Sequence, residues 1–181
     1  MDLGLNRAGY SMDEIHGGDN SDFKIDSRTR IGHIHLKVSN LERSVKFYTE
    51  VLGFELTTRM GRQAAFLSAG GYHHHIGLNT WESAGGSPPP ERSTGLYHFA
   101  ILLPDRLELA RVLQRLLDIN WPLDGAADHG VSEALYLKDP DGNGIEFYID
   151  RPQEQWPHDS QGQVSMYTRP LALDSLLAEL Q

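Results

Sequence analysis

The sequence predicts an α+β fold of two tandem βαβββ modules that together form a cupped mixed sheet. Three observations carry the prediction. Apolar residues alternate over several short runs and recur at helical spacing over two longer ones. The second half repeats the order of the first at a nearly constant offset. Between the halves lies Gly85-Gly86-Ser87-Pro88-Pro89-Pro90, a stiff run that a strand interior does not accommodate.

In chain order, residues 1–30 show no sustained periodicity and read as an N-terminal extension. Residues 31–150 read as one domain, with modules at about 31–84 and 95–150. Ile31-Gly32-His33-Ile34-His35-Leu36-Lys37-Val38 alternates, placing His33, His35 and Lys37 on one face. Ser39-Asn40-Leu41-Glu42 carries a capping-box pattern. Leu41, Val45, Tyr48 and Leu52 then follow at helical spacing, and Gly53 stands where a helix-ending glycine belongs. Residues 54–58, 64–67 and 76–79 read as strands, with Gly61 and Gly70-Gly71 as turns. After the prolines the plan restarts. Residues 96–103 read as a strand, and Asp105 and Glu108 open a helix with Leu109, Leu113, Leu116 and Leu117 on its apolar face. Residues 134–137 and 145–148 read as strands around the turn Asp139-Pro140-Asp141-Gly142-Asn143-Gly144. The tail, residues 151–181, contains a short amphipathic helix suited to capping the domain or meeting a second subunit.

An offset of 65 sets His98 on His33, Ile101 on Leu36, Leu103 on Val38 and Asp105 on Asn40. The same offset sets Leu113, Leu116 and Leu117 on Tyr48, Val51 and Leu52. An offset of 69 sets Ala134 on Ala65, Ile145 on Ile76 and Phe147 on Leu78. Glu146 then falls on Gly77. One half offers His33 and a vacancy, the other His98 and Glu146. Two such halves bury apolar surface that one would expose, and leave a cleft between them.

Composition narrows the chemistry. With 181 residues, 39% hydrophobic and 23% charged, the chain supports one ordinary core. No apolar run approaches the length that spans a bilayer, and residues 1–30 lack the basic start and apolar centre of a secretory signal. A net charge of -9 disfavours binding to a nucleic-acid backbone. The absence of cysteine excludes disulfides, thiolate ligands and a cysteine nucleophile, and fits a cytoplasmic setting. A metal must therefore be held by imidazole nitrogen and carboxylate oxygen. His33, His98 and Glu146 form such a set, and two imidazoles with one carboxylate leave positions open on Fe(II). Mn(II) or another divalent metal is compatible with the same donors. The run His73-His74-His75, after two glycines, reads either as part of a metal cluster or as a solvated turn.

Several stretches together resemble the vicinal oxygen chelate superfamily, which includes glyoxalase I, bleomycin-binding proteins, fosfomycin-resistance proteins and extradiol dioxygenases. They are residues 32–38, Phe47-Tyr48, residues 51–54, residues 96–101 and residues 139–146. Within that superfamily the resemblance runs towards catechol 2,3-dioxygenase-like proteins, supported by Asp150-Arg151-Pro152, Trp156 and Thr168-Arg169-Pro170-Leu171 in the tail. It spans about residues 30–180. The resemblance implies His33, His98 and Glu146 as metal ligands, His74 as the proton-handling residue, and Tyr136 and His129 as holders of substrate oxygens. It implies a catechol-like vicinal diol and dioxygen as substrates, a ring-cleaving oxidoreductase, and a homodimer. The pattern of glyoxalase I has a carboxylate where this chain has Gly77. A binding protein without chemistry and a metal-dependent lyase or isomerase are the alternatives. His73 and His75 read as structural or solvated, His35 as a pocket residue, and Trp81, Trp121 and Trp156 as packing.

Overall fold

The computed structural model describes residues 23–90 and 92–181. The extension expected over residues 1–30 lies largely outside them. A single compact unit, His33–Gln181, contains both modules and the tail.

The first module comprises β1 (Ile34–Lys37), α1 (Leu41–Lys46), β2 (Glu55–Met60), β3 (Ala64–Ser68) and β4 (Ile76–Asn79). Helix α1 runs directly into a π-helical turn, Phe47–Val51. The second comprises β5 (Phe99–Leu102), α2 (Arg106–Asp118), β6 (Gly125–Asp128), β7 (Ser132–Lys138) and β8 (Gly144–Asp150). Each module carries its own mixed sheet, ordered β1-β4-β3-β2 and β5-β8-β7-β6, with β1 parallel to β4 and β5 parallel to β8. The tail adds β9 (Arg169–Pro170) to the edge of β6 and α3 (Leu173–Leu177) against α2. Leu176 is fully buried and Leu171, Leu173 and Leu177 pack on the core, so the tail helix caps the domain. Among the described residues no helix is long and apolar enough to cross a membrane.

Local chemistry explains the helix starts. Asn40 caps α1, its side chain accepting from the Arg43 amide at 3.0 Å. Asp105 caps α2 in the same way, accepting from the Glu108 amide at 2.9 Å. The cap of α1 therefore lies one residue beyond the Ser39 that a Ser-x-x-Glu box requires, and it matches Asp105 at the offset of 65. Glu42 turns away to pair with Arg59 at 2.6 Å. Gly53 ends the helical segment at φ +81°, a conformation glycine adopts without strain. On α2 the burial falls on Leu109, Ala110, Leu113 and Leu116, and Leu117 is 46% exposed.

The repeat holds in three dimensions, with one correction. Ile34 pairs with Ile76 as Phe99 pairs with Ile145, at the expected offsets of 65 and 69. In the antiparallel pairs, however, Phe66 faces Gly77 as Tyr136 faces Glu146. Strand β7 therefore matches β3 at an offset of 70, and Ala134 is equivalent to Ala64 rather than Ala65. Ala64, Ala65 and Ala134 are all fully buried, so alternation could not reveal the slip.

The modules are bolted together at the turn between β7 and β8. Asp139, 4% exposed, accepts from the Asp141 and Asn143 amides and from the Tyr48 hydroxyl at 3.0 Å. Asp141 reaches the start of α1, accepting from the Ser39 amide, the Ser44 hydroxyl and the Arg43 guanidinium. Burial pushes the Asp141 carboxyl up, but Ser39, Arg43 and Ser44 outweigh it and hold it below its ordinary value. Its stabilising contribution is thus complete above the unfolded value of 3.8 and is lost as pH falls through the lower folded value. Asp141→Asn is expected to cost about 2 kcal/mol at pH 7. Urea melts should show the gap to wild type narrowing as pH is lowered past 3.8.

Candidate functional site

Two clusters of candidate residues emerge, one on each module. In the second module, Ile145, Phe147 and Ile149 of β8 are buried against the helix side, so Glu146 and Tyr148 project from the opposite face. Glu146 lies between Ala100 on β5 and Tyr136 on β7. His98 stands just before β5. It is drawn close to β8 because Gly144 has no side chain: a Cβ there would sit 3.0 Å from that of His98. His98 Nε2 and a Glu146 carboxylate oxygen are 3.0 Å apart. The Tyr136 hydroxyl donates to the other Glu146 oxygen at 2.8 Å, and His129 Nε2 lies 2.8 Å from that hydroxyl. The single hydroxyl hydrogen goes to the carboxylate, so His129 Nε2–H donates to Tyr136. His129 Nδ1 lies 3.1 Å from the Tyr167 carbonyl and 3.2 Å from the Thr168 hydroxyl. The tail thereby sets the orientation of this imidazole. Burial, and then the neighbouring Glu146 carboxylate, push the Tyr136 hydroxyl well above its ordinary value. It remains a proton donor throughout the neutral range.

In the first module, the His74 ring lies 4.5 Å from that of His33 and 5.0 Å from that of Phe66, centroid to centroid. His74 Nδ1 is 2.7 Å from His73 Nδ1, a contact that needs one donor and one acceptor. Burial and then the surrounding imidazoles, His33 foremost, push His74 below the ordinary histidine value. It is therefore neutral at pH 7, as a proton acceptor must be. His75 turns the other way, with Nδ1 near the Ser68 hydroxyl and the Ala69 amide. A bulge in β2 at Thr57 holds this run in place, since the Thr57 hydroxyl reaches the carbonyls of Phe66 at 2.9 Å and His73 at 3.1 Å. The His35 ring packs on those of Phe66 and Trp81, with centroids 5.8 and 5.5 Å away. Trp81, 52% exposed, thus lies over a polar ring, while Trp121 packs on Phe47 as the sequence suggests.

The structure brings His98, Glu146, Tyr136 and His129 into one chain of contacts, and His33 and His74 into another. Among the described residues no three His, Asp or Glu side chains gather round one point. The donor pair on the second module nevertheless fits a divalent ion. Two donors about 2.1 Å from an ion and at right angles stand about 3.0 Å apart, the separation of His98 Nε2 and Glu146. A cleft of about 600 Å³ opens along the free edge of β1, lined by His35, the proline run and the turn at Asp141. It shares His35 with the first module but is not lined by His33, His74, His98 or Glu146. Three contributors were missed by sequence reasoning, Phe66, Thr57 and Tyr167, and Thr168 was noted only as part of the tail motif. An offset of 70 would have matched Phe66 to Tyr136. The others depend on long-range contacts with no local signature.

Comparison with known proteins agrees with this architecture. Residues 30–147 match the model of the glyoxalase/bleomycin resistance protein/dioxygenase superfamily. The chain is 47% identical over 152 residues to catechol-2,3-dioxygenase of Bacillus subtilis (strain 168), covering 83% of this chain and 52% of that protein. It is 31% identical over 122 residues to biphenyl-2,3-diol 1,2-dioxygenase 3 of Rhodococcus globerulus, covering 67% and 63%. The chain thus spans about half to three fifths of the length of these two relatives. A glyoxalase/dioxygenase from Nostoc punctiforme superposes with a TM-score of 0.59 at 21% identity, over 75% of this chain and 100% of that one, which shows a shared fold. The chain belongs to the glyoxalase/bleomycin resistance protein/dioxygenase superfamily.

Proposed function

We propose that the chain carries the metal site of an extradiol dioxygenase that opens the ring of a catechol-like vicinal diol. The observation that supports this reading is the ordered chain His129–Tyr136–Glu146–His98, in which an imidazole and a carboxylate stand 3.0 Å apart and the carboxylate is braced from behind. The 47% identity to a catechol-2,3-dioxygenase supports the choice of reaction. His33, His98 and Glu146 would hold the metal, Fe(II) by ligand type. Bound there, it supplies a redox-active Lewis acid that joins diol and dioxygen.

The side chains have distinct tasks. His74, neutral and with Nδ1 engaged by His73, takes the proton of a substrate hydroxyl at Nε2 and returns it later in the cycle. Tyr136 keeps its proton and fixes the Glu146 carboxylate. His129, its Nδ1 against Tyr167 and Thr168, spends its Nε2–H on Tyr136 and keeps that hydroxyl aligned. Phe66, beside His74 and His35, provides an aromatic surface for a planar ring. A binding protein without chemistry has no need of this aligned acid–base set.

Anaerobic loading with Fe(II), addition of a panel of catechols and admission of oxygen is expected to give oxygen uptake and a yellow ring-opened product. Iron-loaded protein that consumes no oxygen across the panel would refute the proposal. His74→Ala is expected to bind metal with unchanged stoichiometry and to turn over about 10²- to 10⁴-fold more slowly.

A further inference from the structure

The equivalent corners of the two modules take their larger side chain from opposite strands. In the second module, Ala100 on β5 faces Glu146 on β8, and the small alanine leaves room for the carboxylate. In the first, His35 on β1 faces Gly77 on β4. A Cβ on Gly77 would lie 2.9 Å from His35 Cγ and 3.0 Å from Cδ2, closer than such atoms approach. Phe66 and Trp81 both pack on this ring, with centroids 5.8 and 5.5 Å away. Phe66 is itself the counterpart of Tyr136, without the hydroxyl that grips Glu146. The first module's corner is therefore occupied by an imidazole in an aromatic setting, and the hydroxyl that braces Glu146 has no counterpart on Phe66.

We propose that His35 and Gly77 are a complementary pair that determines specificity: the His35 ring occupies the corner where a second carboxylate would enter, and forms a wall of the site instead. This rests on the metal-site reading above. The wall would limit the first module to one ligand, His33, and so keep a second carboxylate from competing with substrate. It also presents a flat ring edge to a planar substrate.

The pairing and its consequence are tested separately. Gly77→Ala is expected to lower the melting temperature by about 5 °C, and adding His35→Ala is expected to recover much of that loss. Effects that simply add would overturn the pairing. Failure of Gly77→Ala to fold while the double variant folds would support it. The consequence is read from the visible spectrum of Co(II)-loaded protein. His35→Ala/Gly77→Glu should acquire an extra oxygen donor and shift the Co(II) bands relative to wild type, whereas His35→Ala alone should leave the donor set unchanged. An unchanged spectrum in the double variant, with Co(II) bound, would overturn the role given to this corner. A wild-type chain that takes up no Co(II) would instead overturn the metal-site reading, and the role at the ion with it.

Discussion

Glu146→Ala is expected to remove stoichiometric metal binding and, with it, turnover. The substitution deletes one of two donors placed 3.0 Å apart and leaves the Tyr136 hydroxyl without its acceptor. His98 alone on its module is a poor chelate. Metal analysis after dialysis against a weak chelator provides the measurement, and retention of a full equivalent would mean that the ligands lie elsewhere. Tyr136→Phe separates ligand from brace. It leaves both donors in place but frees the carboxylate to rotate, so affinity or turnover should fall about 10- to 100-fold. Calorimetric titration with Mn(II) would measure this without any dependence on oxygen chemistry. Tyr136→Phe as damaging as Glu146→Ala would show that the hydroxyl does more than orient the carboxylate.

The second large effect is on stability. Glu133 of β7 is 8% exposed and binds two arginines: Arg106 Nε at 2.9 Å and an Arg151 guanidinium nitrogen at 2.9 Å. Arg151 also reaches Asp128 at 3.0 Å, and Arg106 reaches the Ser175 carbonyl at 3.1 Å in the middle of α3. Glu133→Ala would leave two guanidinium groups partly buried without their shared acceptor. The expected loss is about 3–5 kcal/mol, or roughly 10 °C in melting temperature. Thermal denaturation followed by circular dichroism tests this. Glu42, whose pair with Arg59 is at the surface, serves as the control. Glu42→Ala should melt with wild type, because solvent screens an exposed pair. Since Arg106 and Arg151 join the start of α2, the end of β8 and the tail, the variant should also release the tail to proteolysis.

Much of the fold was legible in the residues because it is local. The pattern of Ile34, Leu36 and Val38 is that of a one-sided strand, and its copy at Phe99 and Ile101 recurs at an offset of 65 with the same register to the partner strand. Asn40 and Asp105 cap their helices at equivalent positions. Patterning failed where both faces are buried: Ala64 and Ala65 are equally inaccessible, so only the ladder to β4 revealed that β3 and β7 match at 70. Ser39 was misread as a cap because Asp141, about a hundred positions away, claims it.

The site divides along the same line. Which residue types could serve a metal was decided by composition: without cysteine, only histidine and carboxylate remain, and the repeat singled out His33, His98 and Glu146. The contacts that orient those groups were not given by periodicity, and Tyr136 was named only through the resemblance. Tyr136 grips Glu146 across a strand pair, Thr168 reaches His129 from the tail, and Thr57 holds the histidine run through a bulge. Gly77 is the sharpest case. In the sequence it is a missing carboxylate, whereas in the folded chain the space is filled, because His35 projects into it from the neighbouring strand. Periodicity tells which face a side chain occupies, but the volume at a given point belongs to whichever strand fills it, and that is settled only when the strands pair.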